Sequence, residues 1–233
     1  MKAFLLAAGL GTRLRPLTDT TPKCLVDVGG RPMLDIWLDA LAKAGVHEVL
    51  VNTHHQANLV AAHVADRMTP PAVRLSHEPV LLGSAGTLLV NRDFVANEDM
   101  FLAVNADNLT DFDLRPLIDA HRAAATIATL SVFHSPTPAE CGILEVADGR
   151  VVAFLEKPEI PPSDLANAGM YAFHPRVLDE IPEPLPRDIG FDLLPRLVGR
   201  AGVVAIDDCY FLDVGTPAAL KRARDEWDGR AVS

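Results

Sequence analysis

No run in this 233-residue chain approaches the roughly 20 apolar residues needed to cross a bilayer. The first residues pass directly into a strand-like pattern, with no basic region and apolar segment ahead of a cleavage site, so no leader and no membrane association are expected. Positive charge is scarce: 21 Lys and Arg against 31 Asp and Glu give a net charge of -10, which argues against nucleic acid as a bulk electrostatic partner. An anionic ligand must be met by local cations. The three cysteines, Cys24, Cys141 and Cys209, are odd in number and lack metal-ligand spacing. They exclude a disulfide framework or a zinc knuckle and read as reduced thiols of a cytoplasmic protein. No internal repeat or low-complexity tract occurs, and no hexapeptide repeat follows the last helical pattern, so no β-helix tail is expected. What is abundant is apolar residues, 49% of the chain, enough for a sizeable core.

Strand-like and helix-like runs alternate. Strands are expected at 2–8, 48–52, 72–77, 100–105 and 126–133, and helices at 32–44, 57–68, 86–90 and 114–124. In the helix at 32–44, Met33, Ile36, Trp37, Ala40, Leu41 and Ala44 fall on one face, and Gly45 closes it. This βαβα order predicts an α/β fold: a mostly parallel, Rossmann-like sheet flanked by helices, with ligands beyond the carboxyl ends of its strands. Gly9 and Asp107 both stand at such ends and can face one site. After about residue 134 the texture changes. Short strands at 142–147 and 151–156 flank the hairpin dipeptide Asp148-Gly149, and another strand lies at 168–173. Prolines 158, 161, 162, 182, 184 and 186 enforce loops. A helix at 191–198, strands at 203–206 and 210–212, and a helix from Pro217 follow. The expectation is a single domain over 1–233, with a first half at 1–133 and a second half of short strands at 134–233.

The most informative stretch is the first. An apolar run from Ala3 to Ala8 stops at Gly9, and G-L-G-T-R-L-R-P follows, then T-P-K-C-L-V with Lys23. A buried strand that ends in a glycine-bearing cationic loop suits a polyphosphate, because glycine permits close backbone approach while N–H groups and cations face the anion. It is not a Walker A loop, since no G-x-x-x-x-G-K-[ST] is present. It is not the dinucleotide fingerprint either, because Leu14 stands where a third glycine belongs. The bland alternative is a tight strand-to-helix turn with two solvated arginines. Further along, Asp107 in N-A-D-N and Asp213 in F-L-D-V-G-T-P each follow an apolar run. Such carboxylates are placed to hold a hard cation such as Mg²⁺, which takes one or two carboxylates plus substrate phosphate oxygens. Either can equally be a cap or turn residue.

Together, G-L-G-T-R-L-R-P, the following T-P-K, G-S-A-G-T, N-A-D, E-K-P, N-A-G and D-V-G-T-P resemble, in order, the motifs of the sugar-1-phosphate nucleotidyltransferases, the family that makes NDP-sugars. The resemblance spans nearly the whole chain. It implies a GT-A-like fold in which 1–133 is the nucleotide-binding half and 134–233 the sugar-binding half. Ala7, Ala8, Gly9, Gly11, Thr12, Arg13 and Lys23 would bind the nucleotide, with Gly83 and Gly86 lining the base pocket. Asn105, Gly142, Glu156, Lys157, Asn167 and Gly169 would hold the sugar phosphate. Asp107 and Asp213 would bind Mg²⁺, and Arg13, Lys23, Asp107 and Lys157 would be catalytic. Ala106 stands where many members carry glycine. Asp188 and Asp192 rank low as shapers of the sugar pocket. Adjacent His54 and His55 diverge and read as structural.

The implied reaction joins an NTP and a sugar 1-phosphate, with loss of pyrophosphate and no protein nucleophile. The short length and the D-V-G-T-P ending resemble the mannose-, heptose- and N-acetylmuramate-1-phosphate enzymes, which implies first guanylyl transfer to a mannose- or heptose-type 1-phosphate by a monomer or homodimer. Uridylyl or thymidylyl transfer to N-acetylmuramate or glucose 1-phosphate is the alternative, and so is a non-catalytic NDP-sugar-sensing regulatory subunit. A sensor would be expected to lack some of the loop cations or carboxylates, all of which are present. A glycosyltransferase would show D-x-D directly after the central strand, whereas Asp111-Phe112-Asp113 comes too late.

Overall fold

A computed structural model describes residues 1–124 and 126–227. The strands are β1 (Lys2–Leu6), β2 (Asp27–Val28), β3 (Arg31–Pro32), β4 (Glu48–Thr53), β5 (Ala72–His77), β6 (Phe101–Asn105), β7 (Asn108–Thr110), β8 (Ala128–His134), β9 (Gly142–Ala147), β10 (Arg150–Glu156), β11 (Leu165–Phe173), β12 (Ala201–Ala205) and β13 (Phe211–Asp213). The α-helices are α1 (Met33–Lys43), α2 (Ala57–Ala65), α3 (Ser84–Val90), α4 (Arg115–Ala124) and α5 (Pro217–Glu226). The chain forms two compact units. The first takes Met1–Leu81, Val104–Leu114 and the chain from Cys209, and the second takes Leu82–Ala103 and Arg115–Asp208. Both combine strands with helical segments, so the expected α/β architecture is present. No helix among the described residues is long and apolar enough to cross a membrane.

In the first unit β1, β4 and β5 run parallel, with Leu5 opposite Val51 and Val51 opposite Leu75. Ala3, Phe4 and Leu5 are fully buried, as are Val49 and Val51, which is the pattern of parallel strands covered on both faces. A separate core unites segments far apart in sequence. Leu14 of the glycine loop, Val26, Val28, Met33, Ile36, Leu109, Val214, Leu220, Ala223 and Trp227 pack together. The G-T-P turn has a plain structural task here. Thr216 caps α5 by accepting the Ala219 N–H at 3.2 Å, and Pro217 occupies the first helical position.

In the second unit β8 pairs antiparallel with β11 and parallel with β12, while β10 pairs antiparallel with β9 and β12. The parallel character expected from the first half of the chain therefore does not extend to most of these pairings. The hairpin joining β9 and β10 turns at Asp148 and Gly149, both with positive φ, as the sequence predicts. Two helical expectations are modified. The segment 191–198 is not one α-helix but a wide turn over Ile189–Leu193 followed by a tight turn over Leu194–Leu197. Pro195 has no N–H to continue the ladder. The helix expected at 57–68 stops at Ala65, and the Arg67 guanidinium is bonded instead to Asp35, Asp39 and the Pro70 carbonyl.

His121 on α4 is buried, with its Nδ1 3.0 Å from the Thr129 hydroxyl. Burial, with a lesser push from His174, lowers its pKa to about 4. The unfolded ring titrates near 6.5, so the unfolded chain takes up the proton first. Stability should therefore fall as pH drops from about 6.5 towards 4, by on the order of 2 kcal/mol from this ring. Comparing melting curves of the wild type and His121→Asn between pH 7.5 and 4.5 checks this: the variant should show the shallower decline, and parallel curves would contradict it.

Candidate active site

The carboxyl end of β1 opens into the glycine loop. Gly11 adopts φ +63, and its carbonyl accepts from the Leu14 N–H at 2.9 Å and the Thr18 hydroxyl at 2.8 Å. This folds the loop back so that Leu14 enters the core while Gly9, Thr12 and Arg13 face solvent. Lys23 begins a short turn anchored by buried Cys24. Burial pushes the Cys24 thiol up to about 12, so it is a packing residue without thiolate character.

Lys23 is the centre of the site. Its side chain is only 10% exposed, yet its Nζ lies 2.8 Å from Asp107 Oδ2 and 3.9 Å from Asp213 Oδ1. Arg13 lies 4.0 Å from the other Asp213 oxygen. Two short strands cause the convergence. β7 directly follows Asp107, β13 ends in Asp213, and they pair antiparallel with Asp213 opposite Asn108. The Val214 N–H then donates to the Asp107 carbonyl at 2.9 Å. The Ala106 N–H donates to the Leu6 carbonyl at 3.1 Å, which fixes Asp107 beside the end of β1. Gly215 leaves room for this cluster, since a Cβ there would lie 2.7 Å from an Arg13 guanidinium nitrogen and 2.9 Å from an Asp213 carboxylate oxygen. Asn105 ends β6, half-buried.

Ala7 and Ala8, the expected base-side wall, close β1. The Ala7 N–H donates to Asn52 Oδ1 at 2.7 Å, and Asn52 Nδ2 donates to Glu78 Oε1 at 2.9 Å. Both Asn52 and Glu78 are buried. Sequence reasoning did not single out this relay. The available signal was a polar residue ending the apolar run V-L-V-N, where an amide must find partners. His54 and His55 bond to the carbonyls of Glu78 and Thr18, in keeping with a structural role. Asp111 of the late D-x-D pattern accepts the Tyr210 N–H at 2.7 Å and serves as a turn residue.

The second unit holds the remaining expected residues. The Gly83 carbonyl accepts the Thr87 N–H and hydroxyl, while the Gly86 N–H donates to the Arg187 carbonyl at 3.1 Å. That amide is engaged, and the bare side of the Gly86 Cα packs against Leu82 and Leu185, where a Cβ would lie 3.1 Å from each side chain. Glu156 closes β10 opposite Gly142 on β9. Lys157 takes φ +49 and its N–H donates to the Cys141 carbonyl at 3.0 Å, which turns its exposed side chain off the strand line. Asn167 and Gly169 lie in a register shift between β11 and β8. Asn167 Oδ1 accepts the Gly169 N–H at 3.1 Å, and its Nδ2 donates to the Tyr171 hydroxyl at 2.6 Å. Burial raises the pKa of Glu156, the nearby Lys157 charge opposes that, and Asp188 adds to it.

A strand-end loop with two cations, facing carboxylates that share an ammonium, is an arrangement suited to a cation-complexed polyphosphate. The comparison with known proteins makes this specific. The chain belongs to the nucleotidyl transferase family, whose profile matches residues 2–228. A mannose-1-phosphate guanylyltransferase catalytic subunit beta from Dictyostelium discoideum is 31% identical over 222 residues, covering 93% of this chain and 62% of that protein. A probable mannose-1-phosphate guanylyltransferase 1 from Oryza sativa is 34% identical over 224 residues with the same coverage. The chain thus spans about 62% of the length of these curated relatives. Among solved structures, a Bacillus anthracis protein assigned as a glucose-1-phosphate thymidylyltransferase aligns with TM-score 0.89 at 24% identity, covering 98% of this chain and 95% of that one. HddC from Yersinia pseudotuberculosis, complexed with GMP-PN, aligns with TM-score 0.81 at 23% identity, covering 97% and 99%. These structural matches establish the shared fold.

A Cβ at Gly9 would meet nothing within 4 Å, whereas one at Gly11 would lie 2.9 Å from Thr18 Cγ2 and need a left-handed backbone. Gly11→Ala should therefore lower stability by roughly 1–3 kcal/mol in thermal or urea unfolding. Gly9→Ala should leave stability unchanged and weaken nucleotide binding in calorimetry. Equal melting of the two variants would contradict the loop geometry.

Glu156 generates a second prediction. Its carboxyl contributes stability while protonated, present below the unfolded pKa of about 4.3 and lost as pH rises through the raised folded value. Glu156→Gln should melt higher than wild type at pH 7.5, with the gap closing towards pH 4. A variant that melts lower at pH 7.5 would overturn the desolvation reading.

Proposed function

We propose that this chain is a sugar-1-phosphate nucleotidyltransferase that joins an NTP and a sugar 1-phosphate to give an NDP-sugar and pyrophosphate. The observation that carries the reading is Lys23 held between Asp107 and Asp213 beside the glycine loop. The acceptor is a mannose- or heptose-type 1-phosphate and the group transferred is guanylyl. Support comes from relatives at 31% and 34% identity named as mannose-1-phosphate guanylyltransferases. The three free thiols suit a reducing compartment, and we place the reaction in the cytoplasm.

The residues fit Mg²⁺. Asp107 and Asp213 offer hard oxygen donors, they already share one cation in the Lys23 ammonium, and their partial exposure leaves room for phosphate oxygens and water. When bound, the ion would neutralise phosphate charge and polarise the reacting phosphoryl group. In the reaction, an oxygen of the sugar 1-phosphate attacks the α-phosphorus in line. The new P–O bond forms as the bond to the β-phosphate bridging oxygen breaks, and pyrophosphate departs with that electron pair. Lys23 and Arg13 meet the triphosphate and the charge that grows on pyrophosphate. Lys157 draws in the attacking phosphate. Glu156, Asn105, Asn167, Gly142 and Gly169 meet the sugar phosphate, while Ala7, Ala8, Gly9, Gly11, Thr12, Gly83 and Gly86 contact the nucleotide. Positioning and fixed charge supply the rate, as in other phosphoryl transfers.

Pyrophosphate release, assayed for four NTPs against mannose, heptose, glucose and N-acetylmuramate 1-phosphates, tests the reading. GTP with a manno-configured acceptor should turn over fastest. Asp107→Ala should cut turnover by on the order of 10² to 10³ while melting stays cooperative. Near-normal rate in that variant would remove Asp107 from the site. Binding of NDP-sugar without turnover of any pair would instead favour a sensor.

A further inference from the structure

Gly190 is a glycine with no conformational reason to be one. Neither it nor Gly142 takes a positive φ. What they share is a neighbour. A Cβ on Gly142 would lie 2.6 Å from Glu156 Oε2, and a Cβ on Gly190 would overlap that same oxygen and lie 2.8 Å from the carboxyl carbon. The three heavy atoms nearest to a Gly190 Cβ all belong to the Glu156 carboxyl group. The carboxylate thus sits in a slot between two bare Cα atoms.

The segment that carries Gly190 is braced from one side. The Arg187 N–H donates to the Leu82 carbonyl at 2.9 Å, and the Arg187 carbonyl accepts the N–H groups of Ala85 and Gly86 at 3.0 and 3.1 Å. Ser84 Oγ donates to Asp188 at 2.7 Å and accepts the Ile189 N–H at 2.8 Å. Asp192 closes the turn by accepting the Asp188 N–H at 2.7 Å and bonding Arg187 at 3.1 Å. Gly83 lets the two segments touch, since a Cβ there would overlap the Arg187 backbone.

We propose that Gly190, held by the brace of residues 187–189 on the start of α3, is a positioning residue that fixes the Glu156 carboxylate for recognition of a sugar hydroxyl. This rests on the sugar-phosphate reading given above. A methyl at 190 must push the carboxylate from the slot, whereas the backbone itself tolerates alanine.

The test is a double-mutant cycle on the purified chain, read as separate KM values for sugar 1-phosphate and NTP. Gly190→Ala should raise the sugar 1-phosphate KM about tenfold or more, as expected for a misplaced charged hydrogen-bond partner, with NTP KM within about twofold. In a Glu156→Ala background the same change should add less than about twofold. Asp188→Ala, which adds no atom and removes the Ser84 acceptor, should raise the sugar KM in the same direction and also lose its effect without Glu156. It carries the test should Gly190→Ala not fold. An unchanged sugar KM, equal rises in both KM values, or penalties undiminished without Glu156 would overturn the positioning role while leaving the reaction intact. A wild-type chain that turns over no NTP and sugar pair would overturn the reaction itself, and this role with it.

Discussion

Two strands of three residues, β7 and β13, bring the candidate site together. Their antiparallel pairing sets Asp213 opposite Asn108, next to Asp107, and the Val214 amide bonded to the Asp107 carbonyl locks the register. A slip of one residue would turn both side chains to the opposite faces. The pair is too short to stand alone, and it borrows stability from the core beneath it, where Leu109 and Val214 pack with Leu14 of the glycine loop and Trp227 beyond α5. The same apolar cluster therefore seats the loop, the two carboxylates and the last helix.

Charge balance bears on how an acidic protein would accommodate a polyanion. Lys23 and Arg13 are matched by Asp107 and Asp213, so the cluster is neutral as built. A bare triphosphate would have to compete with both carboxylates for the cations. A divalent ion arriving with a triphosphate would give Asp107 and Asp213 a new partner, which would leave the Lys23 ammonium and Arg13 guanidinium available to phosphate oxygens. With a net charge of -10 over the chain, local cations such as Lys23 and Arg13 are where an anion would be met.

Much of this was legible from the residues. The buried strands announce themselves by continuous apolar runs such as Phe4 to Leu6 and Val49 to Val51, and α1 by its spacing. The hairpin at Asp148-Gly149 carries its own turn chemistry. β13 falls within one residue of the strand expected at 210–212, whereas periodicity could not show β7, because three residues hold no measurable period. It also failed at 189–197, where an apolar run with Pro195 folds as two irregular turns rather than a helix. Those turns carry Gly190, and its partner Glu156 is distant in sequence, so the slot exists only in three dimensions. The Asn52 relay was hidden for the same reason: an asparagine ending a strand signals a need for partners without naming Ala7 or Glu78. Motif residues of the candidate site could thus be picked out in the sequence, and the residues that brace them could not.

Glu156 is a carboxyl group kept in a slot where burial disfavours its charge. The central claim, however, concerns Asp107 and Asp213. A crystal structure of the chain with a nonhydrolysable GTP analogue and Mg²⁺ tests it most directly. The account predicts one ion coordinated by both carboxylates and a phosphate oxygen, with Lys23 moved onto the triphosphate. An ion bound elsewhere, or both aspartates still paired to Lys23 with the nucleotide in place, would contradict it.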